Sequence, residues 1–232
     1  LNPRDYASPE NYEQAVYDTY CLGFSKFYQK AIDLGFTIVN ACYPMSVDPD
    51  EDLDAVYAAT CTEDIVRFAR NEKEMIFKAL NDTIPRFRKK IRIFTPITSL
   101  NALIREYGGL KDTSFPCQGG LNFHFIDSAT GNTFPCGYRG AENFGKYWNL
   151  NGSSRNLQPD CRLCDWECFR DPSELAGPIL DLFSSPLRLA GTCALDPGRV
   201  KTWGKDLLYY RACGYFNGRK PPEYSRMAAF SS

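Results

Sequence analysis

Five of the ten cysteines in this chain crowd into the stretch from Cys117 to Cys168, and two of them, Cys161 and Cys164, form a CxxC pair. That clustering constrains the fold more than any other feature. In a CxxC turn both thiolates can face one ion while the intervening backbone N–H groups point at the sulfurs and lower their basicity. A tetrahedral site or a four-iron cluster needs two more thiolates. The chain around Cys117 and Cys136 must therefore fold back toward Cys161 and Cys164, with Cys168 as a competing fifth donor. Disulfides are the other use of clustered cysteines, but they staple domains too small to bury a core. A chain of 232 residues, 44% of them apolar, can bury one, so metal is the expected role.

The intervening residues supply the fold-back. Leu121 to Ile126 (LNFHFI) alternates, Asp127 to Asn132 is a run of turn residues, and Thr133-Phe134-Pro135-Cys136 returns, which reads as a β-hairpin carrying Cys117 and Cys136 toward each other. The single histidine, His124, sits inside the alternating strand, so an all-cysteine donor set is expected. Cys21, Cys42 and Cys61 are isolated and read as small packed residues. Cys193 and Cys213 are left unassigned.

Upstream, the chain alternates between helix and strand. Phe24, Phe27, Tyr28, Ala31 and Ile32 recur at helical spacing after Ser8-Pro9 and stop at Gly35. Phe36 to Tyr43 then reads as an apolar strand. A helix from Glu72 to Arg86, a strand from Ile91 to Phe94 and a helix from Leu100 to Tyr107, capped by Ser99, follow. This is an α/β pattern built on a parallel sheet. Two strands are too few for a complete sheet, and with the Leu1 start they point to a piece of something longer.

From Lys111 the chain turns rich in glycine, proline, cysteine and aromatics. The expected organisation is a helix-and-strand region over residues 1–113, a metal-binding domain over 114–190 with a helix from Pro172 to Phe183, and an irregular extension over 191–232. The acidic run Asp48 to Asp54 lacks the central glycine and final glutamate of a calcium loop and reads as a solvated loop.

Charge names no partner. Lysine plus arginine (27) balances aspartate plus glutamate (28), which argues against nucleic acid and anionic membranes. No apolar run approaches the roughly 18 residues of a membrane span, and no signal peptide is visible, so a cytoplasmic protein is expected.

At the cysteines a resemblance enters. Cys117, thirteen residues, Gly131, four residues and Cys136 fit the C-x(9 to 15)-G-x4-C pattern of the auxiliary-cluster domains called SPASM and twitch. These belong to radical S-adenosylmethionine enzymes. The resemblance implies that Cys117, Cys136, Cys161 and Cys164 hold an auxiliary 4Fe-4S cluster. It also makes the preceding βα units resemble the C-terminal half of a partial (β/α)6 barrel, so that it covers roughly residues 20 to 185. The family's CxxxCxxC, which holds the cluster that cleaves S-adenosylmethionine, is not in this sequence. A full SPASM domain carries CxxCx5CxxxC and a seventh cysteine, whereas here CxxC and CxxxC share Cys164. One cluster, as in twitch domains, is the economical reading.

By the same resemblance, the intact protein binds S-adenosylmethionine and a second 4Fe-4S cluster and uses a 5'-deoxyadenosyl radical on a small-molecule or peptide substrate. Its electron donor would be a flavodoxin or ferredoxin. In related barrels strand C-termini face the active site, which places Asn40, Cys42, Thr95 and Ser99 there, with Asn40 and Thr95 as the cofactor-binding candidates. The alternative is a structural zinc module with the same four thiolates serving partner binding, and a redox dithiol at Cys161 and Cys164 comes third.

Overall fold

The computed structural model describes residues 3–5, 8–43, 68–111, 114–150, 161, 162, 164–217 and 221–230. The acidic run at 48–54 and Cys61 lie outside the described residues. The chain divides into two units. One comprises Leu1–Cys42, Phe68–Ser114 and Pro178–Ser232, and the other Tyr43–Arg67 and Phe115–Gly177.

The first unit is helical around a minimal sheet. Helix α1 (Tyr12–Asp33) ends where Gly35 takes a left-handed φ of 82°, and the N–H of Phe36 then bonds the Ala31 carbonyl at 3.0 Å. Glycine adopts that conformation without a Cβ penalty, which is why the helix stops there. Helix α2 (Arg70–Phe87) turns Ile76, Phe77, Ala79, Leu80 and Ile84 inward, all without exposed surface. It lies in the connection between β1 (Ile38–Val39) and β2 (Arg92–Ile93). These strands pair in parallel, Ile38 opposite Arg92 and Val39 opposite Ile93. Helix α1 packs on α2, α2 on α3 (Ile97–Tyr107), and α3 on α6 (Pro197–Cys213).

Both strands are shorter than their apolar runs, because side chains take over the pairing. In a parallel pair alternate N–H groups point away from the partner, and that of Ile93 is accepted by the Tyr209 hydroxyl of α6 at 2.9 Å. Tyr209 also donates to the Ile91 carbonyl at 3.4 Å, and the Tyr210 hydroxyl donates to that of Phe94. Tyr209 of α6 thus takes the backbone groups of Ile91 and Ile93 that a third strand would otherwise pair.

Two expectations need correction. Residues 191–232, expected to be irregular, contain α6, the end of α5 (Pro186–Leu195) and α7 (Tyr224–Met227). The helix signals at α6 are local: Pro197 in the first turn, the Asp196 carboxylate accepting the Arg199 N–H at 3.0 Å, and Gly214 at φ 60° beyond the end. Its aromatics do not follow a clean apolar stripe, which hides the period. Secondly, Ser99 does not cap α3. The helix begins at Ile97, Ser99 is buried inside it, and the first-turn N–H of Thr98 is accepted by the Asp206 carboxylate of α6 at 2.9 Å.

In the second unit the expected hairpin forms. Strands β3 (Phe125–Ile126) and β4 (Thr133–Phe134) pair antiparallel, Phe125 opposite Phe134 and Ile126 opposite Thr133. Asp127 organises the turn: its carboxylate accepts the N–H of Ala129 at 3.0 Å and its carbonyl that of Gly131 at 2.7 Å. The first part of α4 (Glu167–Ser184) belongs to this unit. There the Ser173 hydroxyl accepts the Gln118 N–H at 2.9 Å, and the Glu174 carboxylate accepts the Phe115 N–H at 2.6 Å. The Phe115 ring lies across Gly177 so closely that an added Cβ would meet its Cγ at 2.4 Å. Gly177→Ala should therefore destabilise the protein by about 1–3 kcal/mol through overpacking, despite the roughly 1 kcal/mol that alanine gains over glycine within a helix. An unchanged urea midpoint would refute that packing. The described residues as a whole form a helix-rich fold with two small two-stranded sheets.

Candidate metal centre

Cys117 and Cys136 are placed by the arms of the hairpin, Cys161 and Cys164 by the segment entering α4. A backbone bond joins the two parts: the Cys117 N–H donates to the Cys161 carbonyl at 2.9 Å. Negative charge on neighbouring cysteines disfavours the thiolates of Cys117, Cys136 and Cys164.

Three of the four thiols receive a backbone N–H from the residue two positions on. Gly119 donates to the Cys117 Sγ at 3.3 Å, Tyr138 to the Cys136 Sγ at 3.4 Å, and Trp166 to the sulfur of Cys164. Such amides stabilise a thiolate over a thiol, and they are the sulfur-directed donors that metal–thiolate centres use. Gly119 permits its bond by lacking a side chain, since a Cβ there would stand 2.9 Å from the Pro135 carbonyl oxygen and 3.3 Å from the Cys117 sulfur.

Around the sulfurs lies an aromatic wall. Cys136, Tyr138 and Phe169 are buried together, with Cys117, Phe123, Phe125 and Trp166 packed against them. The Trp166 ring sits 4.8 Å from that of Phe169 and 5.7 Å from that of Tyr138. Burial in this wall is the main reason the thiols resist ionisation: Cys117 is pushed up to about 11 and Cys164 to about 12, and Cys136 is raised for the same cause. Charge on neighbouring thiols adds to the shift. At neutral pH these three thiols are protonated, and a cation would have to displace their protons.

The remaining candidates are placed differently. Cys168 is exposed, and the groups that raise its pKa after burial are Glu167 and Asp171, not the other cysteines. Asn40 and Thr95 meet each other: the Asn40 Oδ1 accepts the Thr95 N–H at 3.1 Å and the Thr95 hydroxyl at 2.5 Å. The Thr95 carbonyl accepts from Arg88 at 3.2 Å, so these bonds clip the ends of the two strands together. Cys42, expected as a packed small residue, is exposed, whereas Cys21 is partly covered with its thiol 3.9 Å from the Ala79 carbonyl. His124 packs edge-on to Phe144 at 6.0 Å. Reading the sequence missed Gly119 and the amides of Tyr138 and Trp166; only the recurrence of a residue two places beyond each cysteine could have signalled the amides.

The nine described cysteines are all free thiols. Among the described residues, no three cysteine, histidine, aspartate or glutamate side chains stand close enough to hold a metal ion as placed. The donor set nevertheless suits a thiophilic metal group: four soft sulfurs, amides aimed at three of them, and an apolar wall. Among the described residues no helix is long and apolar enough to cross a membrane. Comparison with known protein families, curated proteins and solved structures finds no match to this chain.

Proposed function

We propose that this chain binds one 4Fe-4S cluster through Cys117, Cys136, Cys161 and Cys164, and that it is the C-terminal portion of a radical S-adenosylmethionine enzyme. The metal reading is supported by the backbone bond that joins Cys117 to Cys161 and by the N–H groups, each two residues on, that reach the sulfurs of Cys117, Cys136 and Cys164. Bound there, such a cluster supplies one-electron chemistry at a potential set by burial and by hydrogen bonds to sulfur. The protein's part is to hold the four sulfurs, aim the amides of Gly119, Tyr138 and Trp166 at them, and keep water off with Trp166, Phe169 and Tyr138. Ligation entails rotation of the thiols from their present placement and release of their protons. The enzyme reading rests on the motif spacing around Gly131 and on the parallel βα arrangement of the first unit, and the substrate, electron donor and S-adenosylmethionine site of the intact protein follow from it.

Anaerobic purification tests the metal directly. A brown protein with about four irons and matching sulfide per chain is expected. A colourless protein carrying a single zinc would overturn the cluster in favour of a structural four-cysteine zinc module.

A further inference from the structure

Helix α5 is apolar almost all round. Its ten residues, Pro186–Leu195, include a single charged one, Arg188, and the helix packs on α6. A helix of that composition is ordinarily buried on every side. Here one stripe stands in solvent: Leu187, Ala190, Gly191 and Ala194 are all exposed, Leu187 at 88%, and a Cβ added at Gly191 would meet nothing within 4 Å. Steps of three and four residues place these positions on one face. On the last turns of α4, before the break at Ser185, Ile179, Leu182 and Phe183 repeat that spacing at 46%, 56% and 83% exposure.

Singly exposed hydrophobic residues need no account, whereas exposed apolar stripes on consecutive helices mark an interaction surface. Taking roughly 180 Å² for a whole side chain of this size, the four large residues leave on the order of 500 Å² of apolar area uncovered. Two such surfaces together approach the roughly 1,000 Å² that a specific interface requires. Lipid fits poorly, since a helix that lies on a membrane carries a basic polar face and α5 has one basic residue. The order of residues along the stripe instead suits another copy of itself. A two-fold axis midway between Ala190 and Gly191 makes the paired helices antiparallel and sets Leu187 of each copy against Ala194 of the other, with Ala190 against Gly191. The large residue then meets a small one, and the central pair has no bulk to hold the backbones apart.

We propose that α5, with the end of α4, is the surface through which two copies of this chain associate, antiparallel across α5. The proposal is independent of the metal centre. Sedimentation velocity of the full chain tests it, over a concentration series up to roughly 100 µM, above the micromolar dissociation constants of ordinary interfaces. The 26.3 kDa chain should sediment as a dimer that dissociates on dilution. Leu187→Glu and Ala194→Lys each bury an unpaired charge and should each weaken association at least about tenfold, with the wild-type circular dichroism retained. The double variant, whose opposite charges face each other across the axis, should regain most of the loss.

A chain that stays monomeric throughout, single variants that associate like the wild type, or a double variant no better than the singles overturns the proposal. So does a monomer that floats with vesicles of phosphatidylcholine and phosphatidylserine, which assigns the surface to lipid. Should a single variant lose its helical signal, Ala190→Glu decides alone, because it sets two like charges beside the axis: weakened association supports the interface, and an unchanged dimer overturns it.

Discussion

Replacing any one of Cys117, Cys136, Cys161 or Cys164 by alanine should cut the iron bound on anaerobic reconstitution from about four per chain to a small fraction of that, while Cys168→Ala leaves it intact. The difference follows from placement. Three of the four receive N–H donors from the residue two positions on. Removing one would leave an iron corner of the proposed cluster without its thiolate. Cys168 lies one residue into α4, exposed, among carboxylates that disfavour its thiolate. Loss of iron from the Cys168 variant together with retention in one of the other four would falsify this ligand set. Chelation should also loosen the segment around the cysteines, since the free energy of metal binding is then part of what holds it together.

The second large effect is expected far from the sulfurs. Asp206 has no exposed surface and Arg88 almost none, and they pair at 2.9 Å. The other Asp206 oxygen accepts the N–H and the hydroxyl of Thr98, each at 2.9 Å, while the Arg88 guanidinium lies 4.2 Å from the Tyr209 ring centre. Breaking a buried pair strands an uncompensated charge, which costs about 3–5 kcal/mol. Asp206→Ala should lose that much stability in urea unfolding, because it strands Arg88 and uncaps α3 together. Disrupting the exposed pair of Arg226 and Glu223, at 52% and 59% side-chain exposure, should change stability by no more than about 0.5 kcal/mol. A loss below about 1 kcal/mol in Asp206→Ala would show that Asp206 does not tie α6 to Arg88 and to the first turn of α3 as described.

Much of this architecture follows from local chemistry that can be read along the chain. Gly35 stops α1 because only glycine enters the left-handed region freely, and the stop is legible from the residue alone. The hairpin is legible for the same kind of reason: Asp127 bonds its own turn, and alternation on both sides sets the strand faces. The backbone bond from Cys117 to the Cys161 carbonyl links the hairpin to the CxxC pair. Sequence periodicity also located α2 and, within longer stretches, the two short parallel strands.

What tertiary structure decided lies where one segment satisfies another. The sides of β2 look alike in sequence, yet Tyr209, more than a hundred residues away, occupies one of them. Ser99 has the chemistry of a helix cap, but Asp206 reaches the first turn of α3 and the helix starts two residues earlier. Asn40 and Thr95 stand at strand ends suited to a ligand, and in the fold their polar atoms meet each other. Each outcome is set by a partner remote in sequence, and a buried polar group takes whichever partner the packing supplies. The cysteine spacing is local chemistry; the folded chain determined which backbone amides reach the Cys117 and Cys136 sulfurs.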